Sequence, residues 1–152
     1  MTERLDYAGA APGAFEAMRG LETYLRQCGL DRRLLELVKV RASQINGCAY
    51  CLDMHCKDAR AAGETAQRLD LLAGWREAPC YSARERAALA WTEALTALAP
   101  GGMPDGVYQE AETLFTPGEL VNLAMAIIAI GGWNRLAIAF SSPEPGSYRA
   151  PT

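Results

Sequence analysis

The stretch LVNLAMAIIAIGGWNRLAIAF, residues 120–140, constrains the fold of this chain more than any other feature. Wound into a helix it is apolar on every side, with no polar stripe to turn toward water. Such a helix must be enclosed by a bundle, by a second subunit or by a bilayer. Asn122, Asn134 and Arg135 interrupt it, and its unbroken piece, residues 123–133, is well short of the ~20 residues a bilayer needs. Burial in protein is therefore expected rather than a membrane span. A bundle of 152 residues has limited room for such a helix, so self-association is expected as well.

The rest of the chain reads as shorter helices with recognisable ends. Phe15, Met18, Leu21 and Leu25 recur at helical spacing and predict a helix over residues 13–28, stopped by Gly29. Asp31 can cap a second helix, carried by Leu34, Leu35, Leu37, Val38 and Ala42 and ended by Asn46-Gly47. A third is expected over residues 48–63 and a fourth over residues 64–75. Ser82 with Glu85 forms a capping box for a helix over residues 83–99. A short helix over residues 104–115 follows. Thr116, Pro117 and Glu119 then start the last long helix, to residue 140. No alternating pattern of useful length suggests strands. The expectation is one all-α domain over residues 1–152, a helical bundle with its core at about residues 13–140 and irregular tails at 1–12 and 141–152.

Half the residues are hydrophobic, 22% are charged and the net charge is −3, which is ordinary globular composition. It offers no basic stripe for nucleic acid. Residues 1–12 carry both charges and no long apolar run, which predicts no secretory leader and a cytoplasmic location. Five cysteines of uneven spacing, in a reducing compartment, point to thiols, metal ligands or redox groups rather than structural bridges.

The chemistry concentrates in ELVKVRASQINGCAYCLDMH, from Glu36 to His55. Cys48 and Cys51, three apart at a helix start, can close a disulfide within one turn. The positive end of that helix favours thiolate, the nucleophile of peroxide reduction and of thiol–disulfide exchange. His55, the one histidine of the chain, lies four residues beyond Cys51 on the same face and can move protons to or from the pair. A tight turn at Asn46-Gly47 would fold the preceding helix back, so the Glu36 carboxylate could approach the imidazole, a matter of packing that spacing alone does not show. A metal alternative uses Cys48, Cys51, His55 and Cys56, but Cys56 sits about 140° around the helix from Cys51 and closes a tetrahedron poorly. Cys28 and Cys80 fit the pattern of buried, unreactive thiols. Two aromatic pairs, Trp75 with Tyr81 and Trp91 with Trp133, could line a pocket or simply fill the core. Asn134 and Arg135 need polar partners, at an interface or a pocket wall.

Glu36, then twelve residues on Cys48, then Cys51 and His55 in a CxxCxxxH pattern, resembles the alkyl hydroperoxidase D-like branch of the carboxymuconolactone decarboxylase family. SQINGCAYCLDMHCKDARAAGE, SARERAALAWTE and GGWNRLAIA extend the resemblance across roughly residues 13–140. It implies the all-helical fold of that family, assembled as a trimer or hexamer, and thiol-dependent peroxide reduction without a cofactor. Cys51 would attack the hydroperoxide substrate and become a sulfenic acid. Cys48 would supply the leaving-group proton and then resolve Cys51 as a disulfide, with His55 and Glu36 as proton relay. A thiol or lipoyl-bearing protein would be the electron donor, and a peroxiredoxin a possible partner. Tyr50 stands where some peroxidatic members carry a histidine, and a phenol that titrates near 10 is a poor proton shuttle at neutral pH. That departure keeps a second expectation open: a dithiol–disulfide exchange or redox-sensing protein with little peroxide turnover.

Overall fold

Side-chain caps set most of the helix starts. In the computed structural model, which describes residues 2–150, the Asp31 carboxylate accepts the Leu34 N–H at 3.0 Å and opens α3 (Arg32–Asn46). Ser82 with Glu85 and Thr116 with Glu119 form full capping boxes ahead of α6 (Ala83–Thr96) and α8 (Pro117–Phe140). The other helices are α1 (Tyr7–Ala10), α2 (Pro12–Gln27), α4 (Ala49–Ala61), α5 (Ala66–Asp70) and α7 (Asp105–Leu114). A 3-10 turn, Leu72–Gly74, follows α5, and no strand occurs among the described residues.

α3 is the hub, packed against α4, α6 and α8. Leu37, Val38, Leu89, Leu123 and Ile130 are fully buried around it. Burial of each such side chain contributes about 1.5–3 kcal/mol. By length and composition α8 could span a membrane, but 44% of its most apolar window is buried inside the protein. Its buried residues include Asn134, wholly enclosed, which donates to Ser43 Oγ at 3.0 Å and accepts from Asn46 Nδ2 at 2.9 Å. That polar tie, unfavourable in lipid without its partners, fixes α8 to the last turn of α3. Arg135 instead bonds back to the Gly131 carbonyl of its own helix at 2.8 Å. At Gly132 an added Cβ would stand 2.8 Å from Met18 Cε, so the absence of a side chain lets α2 approach α8 closely.

Three segments differ from the expectation. The lead-in is not wholly irregular: Asp6 caps α1 through the Gly9 N–H, and Tyr7 packs on Phe15 and Phe140. The helix expected over residues 64–75 breaks after Asp70. The 3-10 turn there leaves Leu72 and Trp75, three apart, both buried, as its tighter winding requires. α6 ends at Thr96, short of residue 99.

Glu93 joins three elements, accepting from Trp75 Nε1 at 2.8 Å and pairing with Arg41 at 2.9 Å and Arg76 at 2.6 Å. Burial pushes its pKa up, but those hydrogen bonds outweigh it and hold the carboxyl below the usual range. Its charge therefore stabilises the fold above the ordinary carboxylate range, and that contribution is lost as pH falls through the lowered value. Glu93→Gln is expected to cost about 1–3 kcal/mol at pH 7, with the gap to the parent closing below about pH 4, as read by urea denaturation across pH. Asn134→Ala strands Asn46 Nδ2 and Ser43 Oγ and is expected to cost about 2–3 kcal/mol in the same measurement at pH 7.

Candidate active site

α3 ends and α4 begins within two residues. Gly47 takes a left-handed conformation (φ 70°) that suits a residue without Cβ, and the Cys48 N–H returns to the Ser43 carbonyl at 3.1 Å. Cys48 thereby closes one helix and caps the next: its sulfur accepts the Cys51 N–H at 3.4 Å. Cys48 and Cys51 are joined as a disulfide, with Cα atoms 5.4 Å apart. Both are almost fully buried, among Ala42, Ile130 and Ala137.

The tight turn lays α4 back along α3, and His55 Nδ1 meets Glu36 Oε2 at 2.8 Å. The pair is enclosed, His55 at 3% and Glu36 at 7% exposure, so water screens it little. A carboxylate only accepts, so Nδ1 donates and Nε2 becomes the basic nitrogen. Among the described residues Nε2 has no hydrogen-bond partner. Cys51, His55 and Glu36 line one cleft of about 680 Å³, which Cys48 does not line.

Trp133, one of the possible pocket residues of the sequence, is joined in the cleft by residues that carried no such signal. Phe15 meets Trp133 edge-on at 5.6 Å, and Tyr7 joins them from the chain start. The irregular tail crosses α4: Tyr148 donates to Asp58 Oδ1 at 2.7 Å, and Lys57 donates to the Tyr148 carbonyl at 3.0 Å. Trp133 Nε1 and Lys39 both bind Glu22, at 3.2 and 2.6 Å. The residues involved are ordinary aromatics and ion pairs; only the fold gathers them. Of the two aromatic pairs, Trp133 alone lines the cleft. Trp91 belongs to a separate core cluster, and Trp75 and Tyr81 pack together in another.

The four nominal zinc ligands do not come together. Cys48 and Cys51 bind each other, while Cys56 packs toward the cluster of Leu69, Leu72 and Trp75. Among the described residues, Glu36, His55 and Asp58 offer donor atoms within 4.8 Å of one another. Glu36 and Asp58 are already engaged by His55 and Tyr148. Burial, only partly opposed by Arg60, pushes the Cys56 thiol up and disfavours its thiolate. Burial, then Asp53 and Asp58, also raise the Tyr50 phenol, so it stays protonated at neutral pH.

The family model for the carboxymuconolactone decarboxylase family matches residues 10–94. The uncharacterized protein YdfG of Bacillus subtilis (strain 168) is 39% identical over 142 residues, 93% of this chain and 97% of that one. The crystal structure of an Agrobacterium tumefaciens protein of unknown function, proposed to be an AhpD antioxidant-defence protein, superposes with a TM-score of 0.90. The two are 44% identical over 95% of this chain and 99% of that one. A peroxidase-related protein from Ralstonia eutropha JMP134 with an alkylhydroperoxidase AhpD core has the same fold, with a TM-score of 0.80. Its identity is 22% over 92% of this chain and 74% of that one.

Alkylation at pH 7 after mild reduction is expected to modify Cys51 at least tenfold faster than Cys56, as followed by peptide mass spectrometry, because only the former opens on the cleft.

Proposed function

Since this chain belongs to the carboxymuconolactone decarboxylase family, in its alkyl hydroperoxidase D-like branch, we propose that it is a thiol-dependent peroxidase cycling the Cys48–Cys51 pair. One observation carries the reading. Cys51 opens on the cleft beside a buried histidine whose Nδ1 is held by Glu36 and whose Nε2 is free to take a proton.

In the reduced protein His55 Nε2 draws the proton from Cys51, and the thiolate attacks the terminal peroxide oxygen. The S–O bond forms as the O–O bond breaks. The departing alkoxide takes the Cys48 proton and leaves as alcohol, with Cys51 now a sulfenic acid. The helix start stabilises the resulting Cys48 thiolate, through the Cys51 N–H among others. Cys48 then attacks the Cys51 sulfur, and the hydroxyl leaves as water with the proton from His55. One hydroperoxide and two thiols become an alcohol, water and a disulfide. A dithiol donor, such as a lipoyl-bearing protein or another reduced thiol of the cytoplasm, returns the two electrons; a peroxiredoxin could be served downstream.

Tyr50 favours a second reading, dithiol exchange with little peroxide turnover, because its raised phenol adds nothing to the relay. Self-association belongs to the same proposal. Val121 and Ile128, two turns apart on α8, are 61% and 58% exposed, and Leu98 and Ile128 line a second groove of about 330 Å³. A trimer or hexamer would cover them, and a clean monomer mass at micromolar concentration would count against assembly.

Stopped-flow hydroperoxide consumption with a reduced lipoyl donor decides between the two readings, fast turnover favouring the peroxidase. Cys51→Ser is expected to abolish turnover, and Glu36→Gln or His55→Ala to slow it about 100-fold with the helical circular-dichroism signal intact. Parental turnover in Cys51→Ser would overturn the peroxidase.

A further inference from the structure

The cleft is far larger than hydrogen peroxide needs, and its lining combines aromatic rings with cations. Its size is that of a site for a drug-sized molecule. The rings of Phe15 and Trp133 line it. So do Arg26, Leu30 and Arg32, from where α2 ends and α3 starts.

The cations of this cleft are not equivalent. Lys39 is paired with Glu22 at 2.6 Å and Arg19 with Glu16 at 3.2 Å. Arg26 reaches only the Thr23 hydroxyl, at 3.0 Å, and Arg32 makes no hydrogen bond or ion pair with any described residue. Nor do the lining carboxylates neutralise them: Glu22, Glu36 and Asp58 are held by Lys39, His55 and Tyr148 respectively. Two exposed guanidinium groups therefore line an otherwise largely apolar cleft with no anion paired to them among the described residues. Guanidinium is the side chain best shaped to grip a carboxylate, through two parallel N–H bonds.

Register ties Arg32 to the Glu36–His55 pair. Arg32 precedes Glu36 by four residues on α3, so both lie on the same face, about 6 Å apart along the helix. A molecule held at Arg32 by one end can present its other end to the wall formed by Glu36, His55 and Cys51.

Resting on the peroxidase reading, we infer that the substrate is a hydroperoxide of an apolar carboxylic acid. Its carboxylate is bound by Arg26 and Arg32, its hydrocarbon or aromatic body lies along the apolar wall, and its peroxide meets Cys51. The neutral ester of the same molecule loses the anchor, and hydrogen peroxide uses none of it.

The test compares a carboxylic-acid hydroperoxide with its methyl ester. In the parent protein kcat/KM is expected to be at least tenfold higher for the acid. In Arg26→Gln/Arg32→Gln the acid-to-ester ratio is expected to fall to within twofold of one. Calorimetric binding of the corresponding hydroxy acid and its ester to the oxidised protein gives the same comparison without turnover, with the acid at least tenfold tighter and the difference lost in the double variant. Equal values for acid and ester in the parent, or a ratio unmoved by the double variant, would overturn the inference. If no hydroperoxide is consumed the peroxidase reading fails by itself, and the binding comparison still decides whether the arginines select an anion.

Discussion

Between Asn46 and Ala49 the chain has two residues in which to finish one helix and cap the next. Gly47 supplies the left-handed step, and Cys48 uses its N–H to close α3 and its sulfur to open α4. The direction of α4 follows from that step, and with it the meeting of Glu36 and His55, nineteen residues apart in sequence. Asn134 reaches this turn from α8 through Ser43 and Asn46. The apolar helix that must be buried and the hairpin that carries the sulfurs are thus fixed to one another by a few buried polar atoms. Each is costly to enclose alone and favourable only with its partner.

The disulfide and the histidine divide the chemical demands between them. Cys48 sits where the helix end favours negative charge but does not line the cleft; Cys51 lines it, one helical turn before His55. Burial of the Glu36–His55 pair keeps its hydrogen bond in a weakly screening environment, which orients the ring. Tyr50, adjacent in sequence to Cys51, has its phenol pushed up by burial, then by Asp53 and Asp58, and keeps its proton at neutral pH.

Much of this was legible before any coordinates. Helix starts at Asp31, Ser82 and Thr116 were readable because a capping side chain acts on backbone only three residues away. The α3–α4 turn was readable because Asn-Gly is local chemistry. That turn made an approach of Glu36 to His55 possible, but spacing alone did not show it; the packing of α3 on α4 decides it. The break after Asp70 was not legible, since it depends on Leu72 and Trp75 both finding one core cluster. Nor was the cleft as a whole: Trp133 was visible as one possible pocket residue, but Tyr7, Phe15 and Tyr148 join it from both ends of the chain, and no spacing relates them. Asn134 was visible as a polar residue needing partners, but its answer lay 88 and 91 residues away.

The origin of the cleft walls has an evolutionary consequence. Glu36, Cys48, Cys51 and His55 fall inside residues 10–94, the span matched by the family model, whereas Tyr7, Trp133 and Tyr148 fall outside it. The hairpin and part of the cleft wall are thus furnished by different stretches of polypeptide. α8 cannot be redrawn freely, because Asn134 ties it to Ser43 and Asn46, whereas Tyr7 on the four-residue α1 can change with little effect on the hairpin and so alter what the cleft admits.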